Sequence, residues 1–259
     1  GDIKRALAFS TVENVGLIFI GLGAAMGFQS YYLADPAANA QLADLAALAL
    51  IAALCPTLAH SLFKGRLFMG AGSVIFATHT RDLERMGGLA KRMKWTGILF
   101  FIGALSISAI PPFSGFVGEW LMFQSLLLTQ HINDPMVNVL IPVAVAVLAL
   151  TGALAAACFV RIFGATFLAR PRSDQAAEAK EVPRPMLAGM GTAAGASVAL
   201  GLLSALIVPI IDDVTSSVLG VSISSKLVNG LVLTPPAGEF SSMSPLVIGA
   251  LLLIAVPFA

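Results

Sequence analysis

Charge is the scarcest property of this chain. Only 11% of its 259 residues are Asp, Glu, Lys or Arg, where an average soluble domain carries about 25%. No interior stretch therefore reads as a soluble domain. Cysteine is nearly absent too: Cys55 and Cys158 lie in separate apolar runs and read as small buried hydrophobes, not as a disulfide or a metal site. The sequence has no phosphate loop, no zinc or iron–sulfur ligand set, no haem motif and no hydrolytic triad. No cofactor or metal is expected on this chain, nothing points to nucleic acid, and any redox chemistry belongs to another subunit. The net charge of +1 excludes nothing, because in such a chain the location of charge matters more than its sum.

What is abundant is apolar length. Hydrophobic residues make up 58% of the chain and the mean hydropathy is +0.91, which makes this an integral membrane protein embedded in a lipid bilayer. Apolar segments occupy 7–32, 45–78, 95–129, 136–168, 186–211 and 245–259. The first five exceed the roughly 20 residues that span a bilayer as a helix. The last is short for a span, and the chain begins without a methionine, so the sequence reads as an internal piece of a longer protein, truncated at both ends. The third segment is interrupted by Pro111 and Pro112 ahead of Ser114 and Gly115. Two prolines remove two backbone donors and clash with the preceding turn, so this helix is expected to be discontinuous at mid-depth. The link 212–244 reads as a re-entrant or surface loop.

Basic residues alternate between the links. One side receives Lys4, Arg5, Arg81, Arg85, Lys91, Arg92, Lys94, Arg161, Arg170, Arg172, Lys180 and Arg184, and the other only Lys226. By the positive-inside rule the loops 79–94 and 161–184 are expected in the cytoplasm, in a multi-pass protein of the inner (plasma) membrane. Lys64 and Arg66 remain within the apolar length.

Lys64 lies in the middle of the 45–78 segment, where a cation costs about 2.5–3.5 kcal/mol by insertion scales and is expected to face protein or a water-filled path. His60 is four residues earlier, on the same helix face. Two groups that can each take and release a proton are thus stacked one turn apart. Glu13 and Glu119 are the intramembrane carboxylates. Glu119 follows the proline break, and unwound backbone survives in a bilayer only where it is buried in protein or lines water. Asn14 either orients Glu13 or bonds across helices, and Arg66, two residues from Lys64, points elsewhere around the helix. His79 and His131 sit in polar links and read as solvated.

Several stretches in order carry a resemblance: Asp2-Ile3-Lys4-Arg5, Ala59-His60-Ser61-Leu62-Phe63-Lys64, His79-Thr80-Arg81-Asp82 leading to Met86-Gly87-Gly88-Leu89, and Pro111-Pro112-Phe113-Ser114-Gly115-Phe116-Val117-Gly118-Glu119-Trp120. Together they resemble the antiporter-like proton-conducting membrane subunits of respiratory complex I, multi-subunit sodium/proton antiporters and group 4 hydrogenases. Glu13-Asn14, the run from Ala155 to Gly164 and the run from Phe167 to Ser173 are similar to the hydrogenase-4 component B and formate hydrogenlyase type.

The resemblance implies an all-α polytopic membrane protein, the C-terminal half of an inverted-repeat helical bundle, forming one proton-conducting domain over 1–259. It implies proton translocation within a redox-driven complex, with other membrane and peripheral subunits of a hydrogenase or complex I-like assembly as partners, and protons, or sodium in their place, as the ion. Proton-pathway roles are implied for Lys64, His60 and Glu119, with Lys4 and Asp2 at the start of the first helix. Some relatives carry a second histidine one turn before His60, where this chain has Pro56. A complex I or sodium/proton antiporter subunit is the related alternative. An inert membrane scaffold whose charges only hold helices together is the alternative from another class.

Overall fold

A computed structural model describes the chain except residues 130, 131, 133, 236–241 and 256–259, so His131 lies outside the described residues. Ten α-helices are described: α1 (Ile3–Ala34), α2 (Ala40–Thr78), α3 (Lys94–Ile107), α4 (Ser114–Leu127), α5 (Pro135–Phe167), α6 (Asp174–Glu178), α7 (Arg184–Leu202), α8 (Ser204–Leu219), α9 (Ser224–Leu227) and α10 (Pro245–Ala255). A two-residue antiparallel hairpin, β1 (Val228–Asn229) with β2 (Val232–Leu233), follows α9. Among the described residues four helices, α1, α2, α5 and α7, are long and apolar enough to cross a membrane. The protein is a multi-pass helical membrane protein.

Side-chain caps start α1 and α5. The Asp2 carboxylate accepts from the amides of Lys4 (2.8 Å) and Arg5 (3.1 Å), closing the open first turn of α1. Asp134 does the same for α5, accepting from Met136 (2.7 Å) and Val137 (3.2 Å) with Pro135 at the first helical position. The Tyr31 hydroxyl also donates to Asp134 (2.7 Å), and together these donors hold its carboxyl below the usual carboxylate range.

The bundle is built around α2. Its apolar stretch is mostly buried, packed by α1, α3, α4, α7 and α8, whereas α1, α5 and α7 leave most of theirs outside. Phe9, Phe19 and Met26 of α1 and Val139, Leu154 and Val160 of α5 are exposed on those outer faces. In water such surface would be a liability, but against lipid tails or a neighbouring subunit it is the ordinary finish of a membrane helix. Pro56 sits inside α2 without ending it, and α4 turns a glycine, Gly118, toward the proline ring.

Polar contacts tie the links into two ends. At one, Arg172 donates to the carbonyls of Glu84 (3.0 Å) and Leu83 (2.8 Å), and Glu181 accepts from the Trp95 amide (2.8 Å) and the Thr96 hydroxyl (2.6 Å). At the other, Tyr31 reaches Asp134, and Lys226 pairs with Asp44 at 2.6 Å. The interrupted third segment is realised as α3 and α4, separated by residues 108–113. The fifth apolar segment, read as one run over 186–211, is also two helices, α7 and α8, which meet at Leu203 with no proline at the junction. Helix α8 carries on to Leu219, well into the stretch read as loop from 212. Its buried Asp212 accepts from the Ser222 hydroxyl (2.6 Å) and the Ser224 amide (2.9 Å), fastening the return of the chain.

Candidate functional site

Lys64 is buried, 5% exposed, on the side of α2 that meets α1. Its ammonium donates to the Leu7 carbonyl and to the Ser10 hydroxyl, each at 2.5 Å. Ser10 can accept because its own proton is turned onto the Leu7 carbonyl at 3.1 Å, the back-bonded pose serines adopt in membrane helices. Two of the three ammonium protons are thereby held by oxygen atoms that carry no formal charge. Among the described residues no carboxylate stands within 4.0 Å of Lys64. A cation solvated by dipoles, without a fixed counter-ion, loses less on giving up its proton than one locked in an ion pair.

Glu13 lies three residues beyond Ser10, hence on the adjoining part of the same α1 face, and is half-buried. It interacts electrostatically with both Lys64 and Glu119. Glu13 therefore stands electrically between the α2 lysine and the α4 carboxylate. Asn14 is buried and donates to the Ser10 carbonyl at 2.9 Å, so its amide serves its own helix and does not orient Glu13.

His60 is half-buried one turn before Lys64, its ring edge-on to Phe63 with centroids 5.5 Å apart. Its Nε2 is buried and finds no partner among the described residues. A buried ring nitrogen without a partner is costly unless water or a transient proton donor reaches it.

Glu119 lines a cavity of about 270 Å³ between α4 and α5, shared with Ser108, Ala109, Trp120, Leu148 and Gly152. Ser108 and Ala109 come from the unwound link between α3 and α4, so the break and the carboxylate open into one space. Gly152 on α5 keeps that space clear, since a Cβ there would lie 3.3 Å from Glu119 Oε2. The break itself is packed by close backbone approach: a side chain at Gly115 would collide with the Ser106 carbonyl oxygen, and one at Gly201 with the Pro112 carbonyl.

The structure links His60 with Lys64, Lys64 with Glu13 and Glu13 with Glu119 electrostatically, and opens Glu119 alone of the four into the cavity beside the Pro111, Pro112 and Gly115 break. It does not bring Asp2 and Lys4 there. Asp2 is the cap of α1 and Lys4 is exposed at the end of the bundle, beside the 79–82 link that bonds Ile3 through the Arg81 carbonyl (3.1 Å). Among the described residues no group of three or more His, Cys, Asp or Glu is arranged to hold a metal. Sequence reasoning missed Ser10 as the partner of Lys64. The available signal was its position three residues before Glu13 on one helix face.

Residues 41–149 match the family described as NADH:quinone oxidoreductase/Mrp antiporter, transmembrane. Hydrogenase-4 component B of Escherichia coli (strain K12) is 41% identical over 256 residues, covering 99% of this chain and 36% of that protein. Formate hydrogenlyase subunit 3 of the same organism is 41% identical over 182 residues, covering 70% of this chain and 28% of that protein. Among solved structures, a chain of the membrane-bound sulfane sulfur reductase, an archaeal respiratory membrane complex, superposes with a TM-score of 0.64 at 21% identity, over 98% of this chain and 40% of that one. The chain thus spans about a third of the length of the curated relatives it matches.

Proposed function

Starting from a chain that carries, in residues 41–149, the membrane domain of the NADH:quinone oxidoreductase/Mrp antiporter family, we propose that it is part of a proton-translocating subunit of a redox-driven membrane complex, of the group 4 hydrogenase kind. The observation that carries this reading is the buried Lys64, held by Ser10 and the Leu7 carbonyl with no carboxylate in ion-pair distance among the described residues. Such a lysine is a proton store and not a structural ion pair. His60 is its neighbour on α2, Glu13 couples it electrostatically toward α4, and Glu119 is the group that meets the cavity beside the break. The 1–259 stretch is read as one proton-conducting domain, assembling with further membrane and peripheral subunits. Redox chemistry is supplied by those partners; this chain moves charge.

Glu119→Gln in the intact complex, reconstituted into vesicles, tests the reading. Glutamine keeps the size and hydrogen bonding of the side chain but cannot change charge. Driven proton uptake is expected to fall by roughly tenfold or more, a typical contribution of a positioned proton-transfer group, while assembly is unchanged. Glu119→Asp should recover part of the rate. Wild-type pumping by Glu119→Gln would make the carboxylate a packing group and remove it from the path.

The bundle end that carries the 79–94 and 161–184 links is read as cytoplasmic, from its excess of Lys and Arg. A single cysteine at exposed Ala38 should react with a membrane-impermeant maleimide in right-side-out vesicles, and one at exposed Lys180 should not, with Cys55 and Cys158 replaced by alanine. The reverse pattern would invert the topology.

A further inference from the structure

Two residues after Lys64, on the far side of α2, stands a second cation. Arg66 is 0% exposed and faces α3, where its Nη2 donates to the Ser106 hydroxyl at 3.1 Å. Among the described residues its buried Nε and Nη1 have no acceptor, and no carboxylate lies within 4.0 Å. Nε and Nη1 lie on different edges of the guanidinium, so one anion cannot satisfy both, whereas water molecules can. A buried permanent charge with two free donors is among the most expensive arrangements a protein interior holds, and it persists only with hydration or a function.

Ser106 does not end the polar line. Its hydroxyl is 3.3 Å from that of Ser197 on α7, and Ser197 is 3.0 Å from that of Ser114, the first residue of α4. Ser114 in turn lines a void of about 10 Å³ together with Ser204, whose buried hydroxyl has no partner among the described residues. That volume is close to the least that holds one water, and two hydroxyls are the least number of polar partners that would keep it there. The line runs from the middle of α2 to the junction of α7 and α8. It joins both helix breaks, which touch where Gly201 meets the Pro112 carbonyl.

We infer that Ser106, Ser197, Ser114 and Ser204 form a second, hydrated hydroxyl branch through the bundle, and that Arg66 is the fixed positive charge that keeps protons off it. The inference rests on the proton-translocating reading given above. Each serine can accept from one neighbour and donate to the next, so the row can reorient and relay a proton by hopping. Because Ser106 donates to the Ile102 carbonyl (2.8 Å) while accepting from Arg66, its proton is turned away from Ser197. Arginine does not release its proton at accessible pH, so it cannot itself relay; its charge only raises the energy of any excess proton nearby. Lys64 and Arg66 thus divide α2 between a face that carries protons and a face that refuses them.

Passive proton entry tests this independently of driven transport. The intact complex is reconstituted without a redox substrate, a potassium diffusion potential is imposed, and internal pH is followed with a trapped dye. Arg66→Gln is expected to leak protons roughly tenfold faster than wild type, Arg66→Lys to remain sealed, and Arg66→Gln with Ser197→Ala to return toward the wild-type rate. A sealed Arg66→Gln vesicle, or a leak that Ser197→Ala leaves untouched, overturns the inference. So does failure of Arg66→Gln to assemble where Arg66→Lys assembles, which would assign the charge to folding. Unimpaired driven pumping by Lys64→Ala would instead overturn the reading of the α2–α4 axis, and the leak assay would still report on Arg66.

Discussion

Lys64→Ala is expected to bring coupled proton pumping down to the vesicle background while the complex still assembles. The structural cost is small because the Lys64 partners are self-sufficient. Ser10 keeps its own bond to the Leu7 carbonyl at 3.1 Å, and that carbonyl also accepts from the Thr11 hydroxyl at 3.3 Å. Removing the ammonium also removes the penalty of a buried cation, of order 2.5–3.5 kcal/mol at mid-depth. What is lost is the one group on this helix face that can store a proton between His60 and Glu13. Lys64→Arg should fail as well, although charge and donors are retained, because a guanidinium does not let its proton go. Pumping and assembly are measured on the same preparation. Normal pumping by Lys64→Ala would show that protons cross elsewhere, and loss of assembly would make the residue a structural one.

The second large effect is expected at Gly115. Alanine there would drive its Cβ into the Ser106 carbonyl oxygen, with Ala109 Cα 3.5 Å away as a second wall, and neither is a side chain that can swing aside. Overpacking of this kind costs about 1–3 kcal/mol even where neighbours can yield. The first turn of α4 must shift, and Glu119, one turn further on, moves with it. Gly115→Ala is therefore expected to lower the thermal stability of the detergent-solubilised complex and the pumping rate together. Gly72→Ala on α2 is the control: nothing lies within 4 Å of its Cβ position, and alanine is the better helix former by about 1 kcal/mol. Equal stability of the two variants would mean that the break is loosely packed. A stable Gly115→Ala that does not pump would show that the position of Glu119, and not the strength of the fold, is what the glycine protects.

The limits of sequence reading are clear at α7 and α8. Their junction at Leu203 has no local mark, and Pro209, which does mark a helix breaker, lies inside α8 without ending it. A proline that keeps its helix through tertiary support looks, in sequence, the same as one that breaks it. The break at Pro111 and Pro112 was legible because two consecutive prolines exceed what neighbouring helices can repair.

By itself the sequence determined the class and the ladder on α2. Hydropathy decides solvent, and solvent decides helix; the four-residue step from His60 to Lys64 puts them on one face of any α-helix, whatever surrounds it. Such properties belong to single residues or to spacings within one turn, so no packing is needed to read them. Only the tertiary structure decided what each ionisable group meets: Ser10 and a backbone carbonyl for Lys64, a hydroxyl row for Arg66, a cavity floored by Gly152 for Glu119. Those partners come from helices as far as 57 positions away for a direct bond, and the hydroxyl row itself closes a separation of 91, so the side of α2 that each cation faces follows from which helix packs there. Charges two residues apart point about 200° apart on a helix, so Lys64 meets α1 and Arg66 meets α3, and the proposed division between a proton store and a fixed charge joins that placement to the different proton chemistry of lysine and arginine.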